Sequence, residues 1–309
     1  MGRGPYILKP TPITDAMLAS CTVAEPAAGE TAWTSAGTYA LGDNCIRTTT
    51  HRIYQCILAH SGRTALPEND PLYWLDIGAT QRWRMFDPIV NTQTTSTSDL
   101  TFVLRPGMFN AIALYVLEGA SISVTVKDAP GGAVVFSYTD TLFEPFADWY
   151  EWLFSPYQVR RSLMLRDIVP YDTAELTITL TASGSDVRGV GMVVVGDLAP
   201  LIASGQWGSR YGISVEPIDY SYIKTDEYGN TRIVKRAATT GLEVEVIMPK
   251  DDVDHAVQLL QAVLATPVAF VATDVAGYQS TNIYGLVSGR VRYEDPTIGI
   301  ANISVKGLI

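Results

Sequence analysis

Cysteine, histidine and net positive charge are all in short supply in this chain of 309 residues, and each shortage excludes something. Three cysteines, Cys21, Cys45 and Cys56, cannot all pair within one chain and are too few for a disulfide framework, so reduced thiols are expected. The histidines are His51, His60 and His255. The order Cys45, His51, Cys56, His60 lacks the close cysteine pairs that preorganise a tetrahedral zinc site, so no metal and no cofactor is expected. Lys and Arg number 22 against 32 Asp and Glu, a formal net charge of -10. Nucleic-acid binding draws on clustered cations, and this balance argues against it. No apolar run approaches the roughly 20 residues that cross a bilayer, so no membrane span is expected. The opening MGRGPYILKPTPITD has no apolar stretch of signal-peptide length, and folding in the cytosol is the expectation. G-x-S-x-G and H-E-x-x-H are absent, and Gly189-Val190-Gly191 lacks the third glycine and the following helix of a dinucleotide site.

What the chain has is β-forming sequence. Hydrophobic residues make up 47% of it, enough for well-buried domains. Residues 1 to 30 carry Pro5, Pro10, Pro12 and Pro26 and read as an extended arm. Residues 31 to 87 alternate short strands with turns and form a small β-module, whose few residues rely on aromatics for burial. Residues 88 to 204 hold longer runs rich in Val, Ile, Thr and aromatics, among them Leu100 to Leu104, Ser121 to Asp128 and Ala174 to Ala182. Such spacing predicts an antiparallel β-sandwich of jelly-roll type. Residues 205 to 309 read as an α+β domain: a hairpin across Tyr220 to Arg236 turning at Asp226 to Asn230, four strands, and one helix. Asp251 or Asp252 is placed to cap that helix, and Val253, Ala256, Val257, Leu260, Val263 and Leu264 share its apolar face. The fold class expected is therefore mainly β.

Candidate sites are few. Asp140, Glu144, Asp148 and Glu151 lie close together around FEPFADWYEW, and paired carboxylates are what glycosidases use. Turns in β-proteins are commonly acidic, and no enzyme is expected. In the small module Tyr39, His60, Tyr73 and Trp74 are candidates for contact with a glycan or a neighbouring subunit, while Trp33, Tyr54 and Trp74 suit the module's own core. In the hairpin Tyr222, Tyr228 and Ile233 are candidates for assembly by strand addition.

Two resemblances follow from these residues. Ala32-Trp33, Tyr39, Gly42-Asp43, Tyr54, Pro67, Trp74 and Gly78 follow the order of a family 5/12 carbohydrate-binding module, and the stretch resembles one. Leu58-Ala59 stands where that family usually carries a tryptophan pair. The Thr80 to Asp87 junction, Asp148-Trp149-Tyr150-Glu151-Trp152, Tyr284-Gly285 and the closing Lys306-Gly307-Leu308-Ile309 resemble minor virion proteins of tailed-bacteriophage tail tips and baseplates. That resemblance implies a structural protein of the virion, made in the host cytoplasm, oligomeric among other tail-tip or baseplate proteins and able to contact host-surface glycans. A glycan-binding adsorption protein in its own right is the alternative, and a glycan hydrolase a third reading.

Overall fold

A computed structural model describes residues 4–308 except 89–91, 144–147, 155–158, 226, 237 and 276, and the backbone alone of Glu151 and Trp152. The fold is mainly β. In chain order, β1 (Tyr6–Pro10) and β2 (Leu18–Cys21) precede the small module, made of β3 (Thr38–Tyr39), β4 (Asn44–Arg47), β5 (Arg52–Cys56), β6 (His60–Ser61) and β7 (Trp74–Ala79). The central region contributes β8 (Thr94–Ser96), β9 (Leu100–Leu104), β10 (Ala111–Tyr115), β11 (Ser121–Lys127), β12 (Val134–Thr141), the short helix α1 (Trp149–Phe154), β13 (Ser162–Leu165), β14 (Glu175–Thr181), β15 (Arg188–Val190) and β16 (Met192–Pro200). The last third holds β17 (Gly208–Ser209), β18 (Ser214–Asp219), β19 (Tyr222–Thr225), β20 (Thr231–Val234), β21 (Ala238–Pro249), α2 (Val253–Ala262), β22 (Val268–Val271), β23 (Asn282–Tyr293) and β24 (Ile298–Gly307).

Two sheets carry the structure. A five-stranded antiparallel sheet runs β12-β11-β14-β9-β2, and its three inner strands alternate as a half-buried surface must. Ile122, Val124 and Val126 of β11, Leu176, Ile178 and Leu180 of β14, and Leu100, Phe102 and Leu104 of β9 all face one core. Across that core stand Ile112 and Leu114 of β10, Leu163 and Leu165 of β13, and Val193 and Val195 of β16. These three strands belong to a ten-stranded sheet with the path β13-β10-β16-β1-β22-β23-β24-β21-β17, to which β18 adds along β21. β10 is buried at all five positions because both its faces are covered.

The segment expected to be an extended arm is instead the seam of this large sheet. β1 pairs antiparallel with β16 (Tyr6↔Pro200) on one side and with β22 (Tyr6↔Val271) on the other. Its side chains alternate between two cores, Ile7 toward the α2 side and Leu8 toward the opposite face. Full burial of each stabilises by about 1.5–3 kcal/mol, which is why a five-residue strand suffices. β2, from the same segment, edges the five-stranded sheet through β9. The sheet therefore continues without a break across the border at residues 204 and 205.

The apolar face of α2 differs from expectation in three positions: Leu259 joins it, Val257 is only half-buried, and Leu264 leaves it. Val253, Ala256, Leu259, Leu260 and Val263 are buried, whereas Leu264 is exposed because the helix stops at Ala262 and the chain turns away through Ala265 at φ 58°. Asp252 makes no side-chain cap. A 3-10 turn at Lys250–Asp252 leads into the helix, and the buried Asp252 carboxylate accepts hydrogen bonds from the Ser204 backbone N–H and hydroxyl.

Candidate functional site

The small module packs around Tyr39, Cys45, Tyr54, Cys56 and Trp74, with Trp33 and Tyr73 against them. Tyr39, His60, Tyr73 and Trp74 do come together. The His60 ring lies 5.5 Å from Tyr39, 5.2 Å from Tyr73 and 5.1 Å from Trp74, and Tyr39 meets Trp74 edge-on at 4.9 Å. Trp74 is only 3% exposed and Tyr39 9%, so these two are core and offer no stacking face. Tyr73 is covered by the Arg63 guanidinium 3.7 Å above its ring, and Arg63 is held by two hydrogen bonds to Asp70. The exposed surface around this cluster is aliphatic, with Leu41, Leu58 and Leu72 projecting.

The cysteine and histidine positions serve separate ends. His51 stacks on Trp83 at 4.1 Å and sets Nδ1 2.9 Å from Glu25 Oε2, while His60 Nδ1 lies 3.6 Å from Cys56 Sγ. Among the described residues no three His, Cys, Asp or Glu side chains converge as metal ligands. Burial pushes the Cys45 thiol up to about 12. Glu25 also accepts hydrogen bonds from the Thr80 hydroxyl and the Trp83 indole, and Glu30 accepts one from the Gln81 N–H at 2.7 Å. This Glu25–His51–Thr80–Trp83 clasp joins residues too far apart in sequence for any local motif to announce it. It fastens the module to the sandwich, whose core includes Ala79, Trp83 and Met85.

Of the acidic cluster, Glu144 and the Glu151 side chain lie outside the described residues. The Asp140 carboxylate accepts hydrogen bonds from Tyr138 Oη at 2.8 Å and Arg160 Nη1 at 3.0 Å. Tyr138 chiefly, with the Thr141 N–H and Arg160, holds it below the usual carboxylate range, the opposite of what a general acid needs. Trp149, Tyr150, Leu153 and Phe154 of α1 are exposed.

The hairpin is a long ribbon. β18 and β21 pair from Ser214↔Glu243 to Asp219↔Ala238, and the same two chains continue outward as β19 and β20, paired from Tyr222↔Val234 to Thr225↔Thr231. Asp226, in its turn, lies outside the described residues. β19 and β20 form a two-stranded sheet of their own, with Tyr222, Ile223, Tyr228 and Ile233 all exposed. No family model matches the chain, and no curated protein is detectably similar to it.

Proposed function

We propose that this chain is a structural, non-enzymatic component of a bacteriophage tail tip or baseplate, joined to its neighbours through the β18–β21 ribbon. The observation that carries the reading is the outer half of that ribbon. An isolated two-stranded hairpin is marginal in water. One whose surface presents Ile223, Ile233 and two tyrosines gains most by laying that surface against a partner. Its strand edges add main-chain hydrogen bonds to any sheet they meet. The residues resembling tail-tip virion proteins supply the class of partner. The chain alone is then monomeric or weakly associated, and ordered only among tail partners. Analytical ultracentrifugation of the wild type and of a variant lacking Tyr222 to Val234, each with and without tail-tip extract, tests it. The variant is expected to stay outside the assembled particle, and equal incorporation of both would overturn the reading.

A further inference from the structure

The large sheet is rolled so far that strands well apart in its order touch. Between β10 and β23 stand β16, β1 and β22, and four steps of about 4.8 Å would separate them by about 19 Å in a flat sheet. Yet the Tyr115 hydroxyl of β10 donates to Asn282 Oδ1 of β23 at 2.7 Å, and the rings of Tyr115 and Tyr284 lie 5.6 Å apart. The roll leaves an open seam between the edge strand β13 and β23. Two adjoining clefts occupy it, about 240 Å³ and about 720 Å³, sharing Ser162, Gln279 and Asn282.

This seam is a concentration of unused donors on an acidic protein. Arg166 lies with its guanidinium 5.9 Å from the Tyr6 ring, and among the described residues neither it nor Arg161 makes an ion pair. Arg160 is anchored to Asp140, but its buried Nε–H has no acceptor among the described residues. Because Asn282 Oδ1 is occupied by Tyr115, its amide NH2 is left to donate, and the Ser162 and Gln279 side chains make no hydrogen bond among the described residues. Asp274 is the carboxylate lining the smaller cleft among the described residues. Arginines flanking an edge strand can simply discourage edge pairing. That role would aim them outward, whereas Arg166 turns over the aromatic ring of β1 in the interior of the roll.

We infer that the seam between β13 and β23 binds an anionic saccharide, with Arg166 in the smaller cleft and Arg161 in the larger each placed for an acidic group, Asn282 and Gln279 donating to its hydroxyls and Tyr6 flanking the ring. Guanidinium forks match carboxylate and phosphate geometry, and amide donors beside an aromatic face suit a sugar rather than an extended peptide. The inference goes beyond the assembly reading and stands without it, since the chain is titrated in the absence of tail partners. Calorimetric titration of the full chain with oligogalacturonate, with a glycerol-phosphate oligomer and with neutral maltohexaose separates the sources of the charge. Binding of one or both anionic ligands is expected, lost with rising salt and weakened about tenfold or more in Arg166→Gln, as for a charge-assisted contact. Asn282→Asp keeps an acceptor for Tyr115 while placing a negative charge in the seam, and with an unchanged melting temperature it should abolish binding. No heat from either anionic ligand, unaltered binding in both variants, or equal binding of poly-glutamate would each overturn the inference.

Discussion

At the scale of single residues, the tightest constraint is steric. Gly196 of β16 lies where β1 crosses it, and a methyl group there would sit inside the Lys9 carbonyl. Gly196→Ala is expected to lose about 1–3 kcal/mol or more in urea unfolding, since neither backbone can give way without breaking the seam. Cys45 carries a different consequence. Its thiol is pushed from 9.0 to about 12, by burial first and by Cys56 second. Above pH 9 the unfolded chain ionises this group while the folded chain keeps it protonated, so stability falls as pH rises from about 9 toward 12. Cys45→Ala should flatten that decline, measured as urea midpoints at about pH 8 and about pH 11. Native protein should leave Cys45 unlabelled by a thiol reagent until it unfolds.

At the scale of elements, the small module ends earlier than its sequence suggests. Glu30 and Gln81 are joined by a 2.7 Å hydrogen bond, so the module leaves and returns at one place. Replacing residues 32 to 78 by a short linker should preserve cooperative melting. Removing residues 31 to 87 takes Trp83 and Met85 out of the sandwich core and should cost a further 3 kcal/mol or about that, as for large buried side chains. The elements differ in how plainly sequence announces them. The alternation in β9, β11 and β14 reads directly as strands, because each has one covered and one exposed face. β1 does not, because five residues among prolines acquire their order only from β16 and β22. Aromatics in the module were equally silent about burial: Trp74 and Tyr39 have the same amphipathic character whether they face a ligand or a core. The arginines of the seam are adjacent in sequence only in part, and their meeting with Asn282 depends on how far the sheet rolls.

For the whole molecule, β1 matters more than its length implies. Among the described residues it is the only connection by sheet hydrogen bonds between the β13-β10-β16 half and the β22-β23-β24-β21 half. Leu8→Ala, at a fully buried position, should cost about 2–5 kcal/mol. Leu8→Asp should go further and let the two halves melt in separate transitions by calorimetry. A single unchanged transition in Leu8→Asp would show that the halves cohere through side-chain packing alone.

That seam also imposes a timetable. Tyr6 pairs with Pro200 and with Val271, so β1 waits for β16 and β22, both far later in the chain, before its hydrogen bonds can form. Chain elongation at about 5–20 residues per second makes that wait many seconds long. During it the central sandwich can gather, but the rolled sheet cannot close. Nascent chains arrested before β22 should therefore remain sensitive to protease at Tyr6 to Pro10, and become resistant only once Val271 has emerged.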